Sequence, residues 1–219
     1  ETLIDRDFAE RRAAQIEDIL RGDRTPALQN LHRMAHGGSG EDQDTTHLSV
    51  IDGAGASVAI TCSIGPHFGV RVADPIHGVL LTHSYRMATD PTPNARDVTE
   101  MAPVIVTRNG RLLLSLGAAG SERIPGAIVQ TIINVVDRKM DLGSAVAFPR
   151  VNIKSGLVRV HNDIGYSVVE TLCARGYNVA LSGRGHANHL GIVNAAAKNE
   201  NGVCTGAADP AWDGAVGIA

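Results

Sequence analysis

With 219 residues and 43% hydrophobic content, the chain can bury one sizeable core on the scale of a single domain. Twenty lysines and arginines against 23 acidic residues leave a net charge of −3, which excludes the broad cationic field that nucleic acid or an anionic membrane surface requires. Three cysteines, Cys62, Cys173 and Cys204, lack paired spacing, so neither a disulfide framework nor a thiolate zinc site is expected, and no apolar run approaches the ~20 residues that span a bilayer.

The N-terminus has no charged segment followed by an apolar signal core, but the chain opens at Glu1 rather than Met, which suggests a fragment, a processed product or the ordered part alone, so a targeting segment can be missing. Residues 5–20 place Phe8, Ile16, Ile19 and Leu20 on roughly one side at helical spacing, predicting a helix. Residues 35–44 (AHGGSGEDQD) mix small and acidic residues without apolar periodicity, the composition of an exposed linker. THLSVID and ASVAITCSI then flank Gly53-Ala54-Gly55 and read as a hairpin. A second hairpin joins 103–107 to 111–117 through Arg108-Asn109-Gly110, where Asn-Gly supplies the positive φ angles of a tight turn. Residues 123–138 carry Ile124, Ile128, Ile132 and Val135 at three- and four-residue steps and predict a helix with Pro125 in its first turn, and 165–175 predict another. Strands are expected at 157–160, 178–181, 188–195 and 202–206, giving antiparallel strands around a few helices with no internal repeat.

The linker running into Asp44-Thr45-Thr46-His47 bears on chemistry. A threonine hydroxyl is a weak nucleophile unless a base stands beside it, and one solution makes the threonine the first residue of its own chain, so that its free α-amine is the base. A mobile acidic linker followed by Thr at the head of a strand fits that device, although a plain linker entering a strand reads the same way.

The run D-T-T-H-L-S-V-I-D followed by G-A-G-A-S-V-A-I-T resembles the start of the small subunit of gamma-glutamyltranspeptidases. FGVRV-x4-HGVLL, M-A-P-V-I-V, L-G-A-A-G-S-E-R-I, F-P-R-V and the closing G-A-A-D-P-A-W-D-G follow in that family's order, covering about residues 45–217. The resemblance implies an α/β (α+β) fold, the four-layer αββα sandwich of N-terminal-nucleophile hydrolases; no cofactor is expected. Residues 1–44 would be the tail of the large subunit with its linker, and 45–219 the small catalytic subunit, forming one domain with the large subunit of the same precursor.

Residue by residue, the resemblance implies that Thr45 attacks the Asp44 carbonyl to split the precursor and then serves as nucleophile toward an acyl donor. Ser63 stands where the family usually has a threonine bonded to the nucleophile, and serine keeps that hydroxyl. Gly120 and Ser121 match two consecutive glycines whose N–H groups bind the oxyanion, with serine in the second place. Backbone donors need no particular side chain, so the hole survives if the angles suit serine. A glycine-rich entry to helix 123–138 could also cradle phosphate, but no Gly-Lys-Ser/Thr pattern accompanies it. His47 belongs to the motif and is expected to give structural support. His186-Ala187-Asn188-His189 has no acidic or thiolate partner at matching spacing, so structural histidines are expected there and not a metal site.

The donor pocket departs from the family. Its N-N-Q/E-M-D-D segment, which holds the donor's α-amino group, aligns with Thr82-His83-Ser84-Tyr85-Arg86-Met87. Both acids are gone and Arg86 replaces one, so an ammonium would meet a cation where it needs a carboxylate. Thr99 and Glu100 replace paired serines, with Glu100 able to restore part of an ammonium contact, Gly65 replaces an asparagine, and the loop from Met87 to Arg96 is shorter than the family's lid. His83 and Arg86 suit a carboxylate or oxalyl group, a surface arginine being the plain alternative. The expected function is therefore a self-processing hydrolase or acyltransferase, with water or an amine as acceptor, whose small-molecule donor is not a standard gamma-glutamyl compound. The alternatives are a pathway-specific relative that removes an oxalyl-type or other anionic acyl fragment, and an inactive member kept as a binding module.

Overall fold

A computed structural model of the chain describes residues 43–66, 68–83, 94, 99–184 and 189–218, together with positions 6, 7, 10, 11 and 14. The chain divides into two compact units, Glu1–Gly37 and Gly38–Ala219. In the first, all five described positions are helical, in agreement with the helix expected at 5–20.

The second unit is built on three sheets. Strands β1 (Gln43–Ile51) and β2 (Ser57–Pro66) pair antiparallel as the first expected hairpin, closed by Asp52, whose carboxylate accepts from the Ala56 N–H at 2.8 Å. The second expected hairpin is β3 (Val104–Arg108) and β4 (Arg111–Ala119), turning through Asn109 at φ 51 and Gly110 at φ 73, both left-handed as such a turn demands. Strands β8 (Ile192–Lys198) and β9 (Cys204–Ala208) complete a four-stranded sheet in the order β3-β4-β8-β9. The third sheet holds β5 (Val151–Lys154), β6 (Leu157–His161) and β7 (Asn178–Ser182).

Helix α1 (Ile124–Val136) starts on Pro125 and turns Ile124, Ala127, Ile128, Thr131 and Asn134 inward, a three-to-four-residue stripe. That stripe and Leu142 and Val146 of α2 (Leu142–Ala147) pack on Leu114, Leu116 and Ala118 of β4 and Val193 and Ala195 of β8. Each fully buried leucine or isoleucine there contributes on the order of 1.5–3 kcal/mol. Alternation sends Ser115, Gly117 and Asn194 of the same strands to the opposite face, against the β1–β2 hairpin. The layers therefore run helices, four-stranded sheet, two-stranded sheet.

Four expectations are corrected. Gln43 and Asp44 belong to β1 rather than to the linker, because Asp44 pairs with Gly65 of β2. The strand expected at 111–117 runs on to Ala119, with Gly117, Ala118 and Ala119 held by Asn194, Val193 and Ile192 of β8. The strand expected at 188–195 runs from 192 to 198. Finally, β6 and β7 pair parallel, since helix α3 (Tyr166–Ala174) makes the crossover that a parallel pair requires. Helix α2 and strand β5, six and four residues long, had no expectation.

Candidate functional site

The face of β1 that points at the four-stranded sheet is polar. Thr45, His47 and Ser49 alternate inward while Thr46, Leu48 and Val50 are exposed. His47, buried, is held at both ring nitrogens, Nδ1 at 2.8 Å from Thr61 Oγ1 and Nε2 at 2.9 Å from Ser49 Oγ. Burial lowers its pKa to about 4, so the ring is neutral at ordinary pH. It lies flat on β4, where a Cβ on Gly117 would come within 2.3 Å of Nδ1. Only glycine fits there.

Three further contacts fix how the hairpin crosses β4 and β8. Lys198 Nζ donates to the Gly53 carbonyl at 2.7 Å near the hairpin tip, Ser115 Oγ to the Val58 carbonyl at 3.4 Å, and Asn194 Nδ2 to the His47 carbonyl at 3.1 Å. Continuing in that direction, Thr45 lies toward the end of the sheet where Ala119 pairs with Ile192 and β4 leaves into Gly120-Ser121.

At that end Thr45 is half-buried opposite Ser63, and the register shifts between Asp44 and Thr45, a bulge at the bond between them. Thr45 Oγ1 donates to Ser63 Oγ at 3.0 Å, and Ser63 Oγ donates to the Asp44 carbonyl at 3.3 Å while accepting from the Gly65 N–H at 3.2 Å. One serine hydroxyl thus touches both the threonine hydroxyl and the carbonyl of the preceding peptide bond. The Asp44 carboxylate accepts from the Phe68 N–H at 3.2 Å. Beyond the end of β4, Gly120 stands at φ 129 and Ser121 at φ 54. The serine occupies the left-handed region that favours glycine, at a cost on the order of 1 kcal/mol.

The other candidate residues form a second group. The His83 N–H donates to the Ile64 carbonyl at 2.9 Å and Thr82 Oγ1 to the Ser63 carbonyl at 3.4 Å, which brings this segment against the end of β2 beside Ser63. Gly65 fits there because its missing Cβ would sit 2.3 Å from the His83 carbonyl. The His83 side chain is exposed. Ser84, Tyr85, Arg86 and Met87 lie outside the described residues, as do His186, Ala187 and Asn188. Thr99 is exposed and its hydroxyl accepts from the Met101 N–H at 3.1 Å, and Glu100 is half-buried on the approach to β3. Among the described residues no three His, Cys, Asp or Glu side chains gather as metal ligands, and the three cysteines are exposed and unbridged.

His189 is structural, as expected, but the sequence does not mark the wall it forms behind Gly120. His189, Arg123 and the buried pair Arg150–Asp209 pack there, and only the glycine-rich spacing around 117–120 hints that something must approach closely.

The family model described as Gamma-glutamyltranspeptidase matches residues 1–219. Acylase ACY 1 proenzyme of Pseudomonas sp. (strain V22) is 35% identical over 215 residues, covering 94% of this chain and 36% of that protein. Glutathione hydrolase proenzyme of Escherichia coli (strain K12) is 27% identical over 189 residues, 78% of this chain and 32% of that protein. The solved gamma-glutamyltranspeptidase of Pseudomonas nitroreducens complexed with L-DON superposes with a TM-score of 0.67 at 27% identity, covering 80% of this chain and 99% of that one. The chain thus spans about a third of the length of these curated relatives. The two-sheet sandwich with its helices is the fold of those structures, and the chain belongs to the gamma-glutamyltranspeptidase family.

Proposed function

We propose that the protein is a self-processing N-terminal threonine hydrolase or acyltransferase, with Thr45 as nucleophile and the Asp44–Thr45 bond as its own first substrate. The observation that carries this reading is the position of Ser63 Oγ, 3.0 Å from Thr45 Oγ1 and 3.3 Å from the Asp44 carbonyl oxygen. In self-cleavage Thr45 Oγ adds to the Asp44 carbonyl carbon as its proton passes to Ser63 Oγ and Ser63 hands its own proton to the Asp44 carbonyl oxygen, from which it moves on to the Thr45 nitrogen as the adduct collapses. The C–N bond breaks as the Thr45 nitrogen is protonated, leaving an ester that water hydrolyses to the Asp44 carboxylate and a free threonine. The same hydroxyl then attacks the donor carbonyl. The new α-amine takes its proton and passes it to the leaving amine, and water or an amine acceptor releases the acyl group. The N–H groups of Gly120 and Ser121 receive the donor's oxyanion.

The proenzyme names of the relatives support a processed precursor, and on this reading its remaining part, the large subunit, shares the pocket. Residues 1–44 would then be that subunit's tail and 45–219 the small subunit. On the donor side, replacement of two acids by a run containing Arg86 favours an anionic acyl group such as an oxalyl or dicarboxylic monoacyl over an α-ammonium, with His83, Thr99 and Glu100 as further candidate contacts.

Intact mass and N-terminal sequencing test the reading. The mature protein should begin at Thr45, and Thr45→Ala should stay whole and lose all turnover. A different new N-terminus, or cleavage of the alanine variant at this bond, overturns it.

A further inference from the structure

A buried imidazole stands directly behind the Gly120-Ser121 turn. A Cβ on Gly120 would come 2.8 Å from His189 Cε1 and 3.3 Å from Nδ1, so the ring touches the backbone of the turn itself. His189 is only 7% exposed. Its Nδ1 lies 3.2 Å from the Gly191 nitrogen and its Nε2 3.2 Å from Arg123 Nη1, a neutral ring accepting from one of the two, and Arg123 Nη1 donates to the His189 carbonyl at 3.4 Å. Trp212 meets the ring edge-on at 6.3 Å. Arg123 joins the two parts, since its own backbone N–H holds the Gly120 carbonyl at 3.1 Å while its guanidinium reaches His189.

This wall is itself anchored. Arg150 Nη2 grips the Gly191 carbonyl at 2.7 Å and pairs with the Asp209 carboxylate, which accepts from the Val193 N–H at 3.1 Å. Arg150 and Asp209 are both buried. The turn, by contrast, has no preference of its own for its shape, because Ser121 sits at φ 54 and no side chain caps the 3₁₀ turn that follows. Strained backbone of this kind persists only where its surroundings over-determine it.

We infer that His189, tied to Arg123, is a positioning residue that holds the Gly120 and Ser121 N–H groups at the angle an oxyanion requires. The inference rests on the proposed role of that turn in acyl transfer. Both ring nitrogens face protein groups within the wall, so His189 acts on the turn rather than on the donor. An oxyanion donor works only while it is fixed in place, and removing one costs roughly 10²–10³ in rate. Loosening a donor should cost less than removing it.

The test uses the full-length processed protein and two donor probes, glutaryl-p-nitroanilide and gamma-glutamyl-p-nitroanilide, with stopped-flow release of nitroaniline and amide hydrogen exchange read at 120–123. His189→Ala should slow acylation about ten- to a hundredfold with KM changed less than about twofold. His189→Phe, which keeps the ring volume against Gly120, should preserve the melting temperature yet still slow acylation and speed exchange at 120–123. His189→Gln, which offers Arg123 a polar partner again, should recover part of the rate. Wild-type acylation and unchanged exchange in a folded His189→Phe overturn the inference, as does a loss that falls wholly on KM. Absence of Thr45-dependent nitroaniline release from the unmodified protein with both probes counts instead against the proposed function. Exchange at the turn still decides the role of His189.

Discussion

The Thr45 frame and the described ends of the Thr82–Glu100 stretch are built in opposite ways. In the frame, each candidate group is pinned by a neighbour that leaves no room to move: Thr45 by Ser63, His47 by Gly117, Gly120 by His189. In the segment, His83 and Thr99 are exposed and tied mainly through backbone or short-range contacts. Acyl transfer by an N-terminal nucleophile demands fixed geometry whatever the donor, whereas recognition can be rewritten by exchanging loop side chains. Conserving one and varying the other lets a family keep its reaction while changing what it acts on. The departures read from the resemblance fall mostly in the second region, with Ser63, Gly65 and Ser121 as exceptions in the first.

That contrast predicts two kinds of damage. Asp209→Ala should have the largest effect on the frame, because it leaves the Arg150 guanidinium buried without its carboxylate, a loss on the order of 3–5 kcal/mol in stability. Denaturant unfolding should show it, together with impaired self-cleavage. If Asp209→Ala melts like the parent, the buried pair does not hold the frame.

Arg86→Ala should do the reverse, costing on the order of 2–5 kcal/mol in kcat/KM for an anionic donor while leaving melting and self-cleavage unchanged. Arg86→Asp should be at least as damaging. Normal turnover of the anionic donor by Arg86→Ala breaks the comparison, and so does rapid gamma-glutamyl hydrolysis by the unmodified protein, which would mean that Glu100 or another group already holds the ammonium.

Gly117→Ala is a smaller probe of the frame. Its Cβ would overlap the His47 ring, and forced overpacking costs about 1–3 kcal/mol. Calorimetry should register the loss, and His47→Ser in the same chain should relieve it. Without that relief, the ring is not the obstacle.

The smallest effect is a pH dependence. His47 and His161 both have pKa values lowered to about 4, His47 by burial and His161 by burial and then by the charges of Arg150 and Arg184. The unfolded chain protonates these rings near 6.5, so between about pH 6.5 and 5 unfolding takes up protons and stability falls as the pH falls. Melting temperature should decline across that window, with a shallower slope in His161→Gln. An equal slope in the variant removes His161 as a cause.

Much of the fold is legible in the sequence wherever one local rule governs. Asn109-Gly110 forces its turn, the Ile124 to Val135 stripe forces a helix, and β-branched runs around Gly53-Ala54-Gly55 give the hairpin that bears Thr45. Helix α2 escapes notice because six residues containing Gly143 and Ser144 show no period, although Asp141 caps it through the Ser144 N–H. The parallel pairing of β6 with β7 depends on where α3 packs, which no local pattern states. In the site, Thr45 and Ser63 can be named from the motif alone. His189 and Asp209 cannot, since what they do depends on partners 66 and 59 residues away in Arg123 and Arg150.

The register of β1 on β2 has one more consequence. Ser63 meets Thr45 across 18 residues of chain only when the hairpin is paired as described. A slip of a single residue would present Cys62 or Ile64 instead and turn the threonine to the other face of the strand. On the proposed reading, then, cutting the Asp44–Thr45 bond is a proofreading step. A chain that has zipped correctly marks itself by an irreversible break, and one that has misfolded stays whole and inert. The ratio of cut to uncut protein in a cell would then record folding yield, and a mutation far from the threonine could silence the enzyme simply by delaying that hairpin.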